Sequence, residues 1–176
     1  MLNSIIDDIK YQFNTGNTVT RIIILNVAVF IVAAILHAYL QTTAYWNPII
    51  DNIGLSANPK EFIYKPWTFI THMFVHVGFF HVLWNLVGLY TFGRITGDLL
   101  GDKKIVPLYF ISGLFGAIVF IVSSLLLHTE NSLAYGASAA VLGLAMVAAT
   151  IAPDYIIRLL FLGDVKIKFI VAFFIF

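Results

Sequence analysis

Long apolar runs, separated by short polar or proline-bearing stretches, constrain this chain more than any other feature. Residues 22–40, 79–97 and 105–127 each form a run of membrane-spanning length, because about 20 residues rising 1.5 Å each match a hydrocarbon core of roughly 30 Å. A fourth run, 138–151, lies between Ser138 and the stop signal Pro153-Asp154. At roughly 21 Å it falls short of the full core, so one of its ends should lie below the membrane surface. A fifth run begins near Lys168. The expected fold is all-α: a polytopic membrane helix bundle with about four full spans and the start of a fifth. Composition agrees: 60% of the 176 residues are hydrophobic and 11% charged, against about 25% charged in soluble domains. A net charge of +1 gives no reason to expect nucleic acid as a partner, and the absence of cysteine excludes disulfides and thiolate chemistry.

The ends of these runs carry further information. Leu2, Ile5, Ile6, Ile9 and Phe13 recur at helical spacing, with Asp7, Asp8 and Lys10 between them. Residues 1–17 therefore read as an amphipathic segment lying at the membrane interface, ended by Asn14-Thr15-Gly16-Asn17, ahead of a membrane domain spanning 18–176. Residues 41–78 hold Pro48, Pro59, Pro66, Trp46 and Trp67, and read as a long interfacial loop. Eight of the ten basic residues fall on one side of the spans, with Lys60 and Lys65 alone on the other. By the positive-inside rule the N-terminus is cytoplasmic and the 41–78 loop is outside. His81 and Ser138 then both lie near the outer ends of their helices. The expected location is a bacterial inner membrane.

Polar groups inside a bilayer are costly and ask for an explanation. Ser138 sits in Tyr135-Gly136-Ala137-Ser138-Ala139-Ala140, where an apolar helix begins. A helix N-terminus offers unpaired N–H groups and the positive end of the dipole, which suit a tetrahedral oxyanion beside a serine nucleophile. The plainer alternative is an N-cap serine satisfying one backbone N–H. His81 and Asn85, four residues apart, share a helix face. His72, His76 and His81 have a spacing open to metal ligation, yet five histidines in all are too few for a His-rich di-iron site, and no zinc-protease glutamate is present. His72 and His76 are better read as hydrogen-bonding the loop's own backbone. His37 and His128 read as interfacial residues at helix ends. Gly136, Ala139, Ala140 and Gly143 suit close helix packing, and Gly93, Gly97 and Gly101 suit a packing ridge. Neither a cofactor nor a metal is expected.

Taken in order, Trp67-Thr68-Phe69-Ile70-Thr71-His72-Met73-Phe74-Val75-His76, then His81-Val82-Leu83-Trp84-Asn85, then Gly136-Ala137-Ser138-Ala139, resemble the rhomboid intramembrane serine proteases from about residue 18 onward. The resemblance implies a rhomboid-like bundle, Ser138 as catalytic nucleophile, and His81 and Asn85 as oxyanion donors. It implies substrates that are single transmembrane helices, cut near their outer ends. Ala139 stands where the family usually has glycine. The family's catalytic histidine belongs to a sixth helix, and none of His37, His72, His76, His81 or His128 matches it; Lys166 and Lys168 fall on the opposite face from Ser138. The chain is thus expected to be a C-terminally incomplete protease, inactive by itself for want of the base. The alternative is a rhomboid-like pseudoprotease that binds membrane helices without cleaving them.

Overall fold

The computed structural model describes residues 2–40, 42, 46–129, 132–159 and 163–175. Helix α1 (Leu2–Thr15) leads into α2 (Thr18–Leu40). Where a long loop is expected, three short helices fold instead: α3 (Trp46–Ile53), α4 (Pro59–Tyr64) and α5 (Thr68–Thr71), with a two-residue strand β1 (Leu55–Ser56). Then come α6 (Phe79–Leu100), α7 (Ile105–Leu126), strand β2 (Leu133–Ala134) and α8 (Ser138–Ile151). A hairpin of β3 (Ile156–Leu159) and β4 (Gly163–Lys166) leads to α9 (Ile167–Ile175). Among the described residues, α2 and the segment 102–126 are long and apolar enough to cross a membrane. A third span is counted if Thr68–Phe74 and α6, bent by 94° at their junction, act as one. Helix α8 is shorter, at 14 residues.

α8 is the hub. Its Ala140, Val141, Leu144, Ala145 and Ala148 are buried between α6 and α7. Small residues set the closeness of the α7 seam: a side chain at Gly116 would strike Ala139, and one at Gly143 would strike Ser112. Backbones can approach this far only without bulky Cβ substituents, the usual device where lipid supplies no hydrophobic drive between helices. The Thr96 hydroxyl donates to the Leu144 carbonyl at 2.9 Å, a buried polar joint between α6 and α8. Tyr109, Leu89, Met73 and Leu144 fill the centre of the core.

The glycines of α6 do not act as one ridge. Gly93 does lie against α2, where an added Cβ would stand 3.0 Å from Val19. Gly97 has only ordinary room beside Ile105. Gly101 has no neighbour within 4 Å and adopts φ +91°, so it ends α6 rather than packing it.

Far from Gly101 in sequence, the start of α2 is secured at the same end of the bundle. Asn17 accepts from the N–H and hydroxyl of Thr20, each at 2.9 Å. Thr18 donates its N–H (2.9 Å) and its hydroxyl (2.6 Å) to Asp102, from the loop joining α6 to α7. His81 lies in the first turn of α6, at the opposite end.

Candidate active site

The residues ahead of α8 are tethered at every step. β1 and β2 pair antiparallel, Leu55 opposite Ala134 and Ser56 opposite Leu133, and the Ala57 N–H donates to Ser132 O at 2.9 Å. Next, Tyr135 lays its ring over Gly54, where any side chain would collide with it. Burial, with the Asp51 carboxylate adding to it, pushes the Tyr135 phenol up to about 12, so it stays protonated. The Gly136 N–H donates to His72 O at 2.8 Å, and the Ala137 N–H points at His76 Nε2, 3.4 Å away. Thus the 55–57 segment and the histidine-bearing turn together place the turn that presents Ser138.

The histidines divide this labour. His72 is buried, and its Nδ1 donates to Thr68 O at 2.7 Å. His76 is buried too; because Nε2 accepts from Ala137, Nδ1 carries the proton and faces Phe74 O at 3.3 Å. His76 thus spends both ring nitrogens on backbone groups, and His72 spends its Nδ1. His81 meets His76 edge to face, with ring centroids 5.0 Å apart, and rests against Gly136. Gly136 is at φ +101°, a conformation that favours glycine, and a Cβ there would come within 2.5 Å of His81 Nε2. The close approach of His81 and the turn before Ser138 thus depend on the same missing side chain.

Ser138 is the first residue of α8 and is exposed. The residue in the capping position is Ala137, so Ser138 does not act as an N-cap. Among the described residues its hydroxyl has no hydrogen-bond partner, and the N–H groups of Ser138, Ala139 and Ala140 carry none. They form the unsatisfied first turn of a helix, at the positive end of its dipole. Ser138 and Asn85 both line a cavity of about 690 Å³ between α6, α8, α9 and the hairpin. Asn85 is buried; one N–H of its amide donates to His81 O at 2.8 Å, leaving the other available. The rest of the wall is mostly apolar, including Trp84, Val141, Ile157, Phe169 and Phe173. Within the described residues no histidine nitrogen hydrogen-bonds Ser138, and no cluster of three metal-ligating side chains forms.

Comparison with known proteins places this arrangement. Residues 64–176, which hold all three motifs, match the family profile described as Rhomboid domain. The chain belongs to the rhomboid family. It is 29% identical over 136 residues to the Bacillus subtilis (strain 168) protein named "Putative rhomboid protease YdcA", a match covering 74% of this chain and 64% of that protein. It is also 36% identical over 80 residues to "RHOMBOID-like protein 6, mitochondrial" of Arabidopsis thaliana, covering 46% of this chain and 24% of that protein. The matches thus span less than two thirds of either relative.

Some contributors to the candidate site were not legible as such. Tyr135 stands inside the quoted motif, but its partner Gly54 is 81 positions away. Nor does any local pattern foretell the pairing of β1 with β2. Of the remaining histidines, His37 sits against Trp46 with ring centroids 4.7 Å apart, and His128 takes φ 54° just after α7.

Proposed function

We propose that this protein is an intramembrane serine endopeptidase in which Ser138 is the nucleophile and His81 and Asn85 donate hydrogen bonds to the oxyanion. One observation carries the reading: an exposed Ser138 hydroxyl, free of structural hydrogen bonds, shares a cavity with Asn85 at the unsatisfied first turn of α8. A structural serine would be expected to spend its hydroxyl on the backbone. In the reaction the Ser138 oxygen attacks a substrate carbonyl, and the negative charge develops beside the free N–H groups of α8. The spare Asn85 N–H and the His81 ring stand on the α6 side of the same turn. The serine proton needs a base, and among the described residues no histidine nitrogen is hydrogen-bonded to Ser138. By the same reading the bundle has four spans and the start of a fifth, the N-terminus is cytoplasmic, and the substrates are single transmembrane helices cut near their outer ends in a bacterial inner membrane.

The test uses the full-length gene product in proteoliposomes with a single-span substrate. Ser138→Ala should abolish cleavage and labelling by a fluorophosphonate. Asn85→Ala should slow cleavage about 10²–10³-fold, the usual cost of one oxyanion donor. Cleavage that persists in Ser138→Ala overturns the assignment. Folded wild type that binds helices, neither cleaves nor labels, and is indifferent to Ser138→Ala marks a pseudoprotease instead.

A further inference from the structure

The machinery around Ser138 makes no use of α1, yet α1 is built with care. Ile5, Ile6, Ile9 and Phe13 lie along one stripe, and all four are exposed, between 41% and 50%. Asp7, Asp8 and Lys10 lie off it. A free amphipathic tail would need no fixed angle, but this one has an elbow. Arg21, in the first turn of α2, donates from Nε to Phe13 O at 2.9 Å and from Nη2 to Asn14 O at 3.1 Å. These are the orphan carbonyls at the end of α1, where a cation also suits the negative end of the helix dipole. Two residues, Gly16 and Asn17, separate the helices, and α2 is itself anchored to Asp102.

We propose that α1 is a lipid-binding arm lying in the plane of the membrane interface, with Ile5, Ile6, Ile9 and Phe13 immersed among acyl chains and Arg21 setting its angle to α2. Position on the chain selects lipid as the occupant. α2 is long and apolar enough to span the bilayer, and its exposed Leu25, Ile31 and Val32 continue the apolar surface of the protein. With a two-residue link, of reach about 10 Å, the end of α1 cannot leave the level at which α2 enters the membrane. A helix attached there with one apolar face has the form of an interfacial helix. Lys10 is outnumbered by Asp7 and Asp8, so attraction to anionic headgroups does not drive the docking. A zwitterionic surface suffices, and salt should not release the arm.

The absence of cysteine makes the test clean, and it is independent of any proteolysis. Single variants Ile6→Cys, Ile9→Cys and Asp8→Cys, each carrying an environment-sensitive fluorophore, are reconstituted in phosphatidylcholine vesicles. Labels at 6 and 9 should emit to the blue, be quenched by lipid-borne nitroxides and resist iodide; the label at 8 should do the reverse. The pattern should survive 0.5 M salt and added anionic lipid. Stripe labels quenched by iodide would place α1 in water and overturn the proposal. Labels shielded from both quenchers would mean that a protein surface, such as a second copy, covers the stripe, and would overturn it equally. Distances between spin labels on Asp8→Cys and Lys104→Cys should spread on adding Arg21→Ala; an unchanged distribution would remove Arg21 from the account.

Discussion

The end of the bundle around Ser138 and the opposite end, where α2 starts and α8 gives way to the hairpin, are fastened by different chemistry. Around Ser138 the joints are neutral: Gly136 to His72 O, Ala137 to His76, His81 against Gly136, Tyr135 over Gly54. At the far end the joints carry charge and face water: Thr18 on Asp102, Arg21 on the carbonyls of α1, Arg158 with Asp164 at 2.8 Å, and Asp154 with Lys166 and Lys168 at 3.0 and 2.8 Å. A buried neutral joint has no substitute when one partner is lost, whereas water and salt replace an exposed ion pair cheaply. The geometry that the proposed chemistry would need is therefore concentrated where each contact is irreplaceable, and the charges that fix the ends of helices are placed where single losses are tolerated.

The largest break in this contrast should come from Gly136→Ala. It combines a side chain at φ +101° with a collision against His81, so the turn before Ser138 must shift. Cleavage by the full-length protein should fall at least as far as for loss of an oxyanion donor, about 10²–10³-fold, with a lower Tm in detergent. Next, His76→Ala should leave the Ala137 N–H without its acceptor, costing about 1–3 kcal/mol of stability and slowing cleavage. His76→Gln, which keeps an acceptor, should recover part of both; equal damage by the two variants would reduce His76 to a space-filler.

Asp102→Ala at the far end should cost only about 1 kcal/mol, the usual worth of a helix cap, with cleavage unchanged. The smallest effect belongs to Asp154. Lys168 and Lys166 hold its carboxyl below the usual 3.8. A depressed carboxyl adds stability above its unfolded value and loses it as pH falls through the folded one. Thermal melts of wild type and Asp154→Asn should therefore differ slightly at pH 7, keep that difference down to pH 5, and converge below 3.8. Raised salt should shrink the difference, because the carboxylate is fully exposed.

How much of this could be read from the chain depended on the range of the signal. α8 was legible to the residue, since Ser138 and Pro153 bound a continuous apolar run. α7 and α9 also begin within a residue of the expected points. The small helices α3 to α5 were not legible, because none completes enough turns to show a period. They are held from a distance instead: the Trp67 indole donates to Asn52 O at 2.7 Å and the Thr71 hydroxyl to Ile53 O at 2.7 Å. The hairpin between Pro153 and Lys168 went unread for a similar reason, its strands being four residues each. In the candidate site, Ser138, His81 and Asn85 stood out as polar groups in apolar runs. The partners of His76 and Gly136 lie some 60 positions away, beyond any local pattern.

The seam between α7 and α8 has a consequence for how this sequence can drift. At two levels the helices touch through paired small residues, Gly116 with Ala139 and Ser112 with Gly143, and in each pair one member has no room to grow. Enlargement on one helix can be accommodated only by a reduction on the other, so each pair behaves as a single inherited trait. Across relatives, positions 112 and 143 should covary in side-chain volume, as should 116 and 139, with each pair's summed volume nearly constant. Positions one residue away on the outward face of α7, such as Phe115 and Ile111, should wander freely in size.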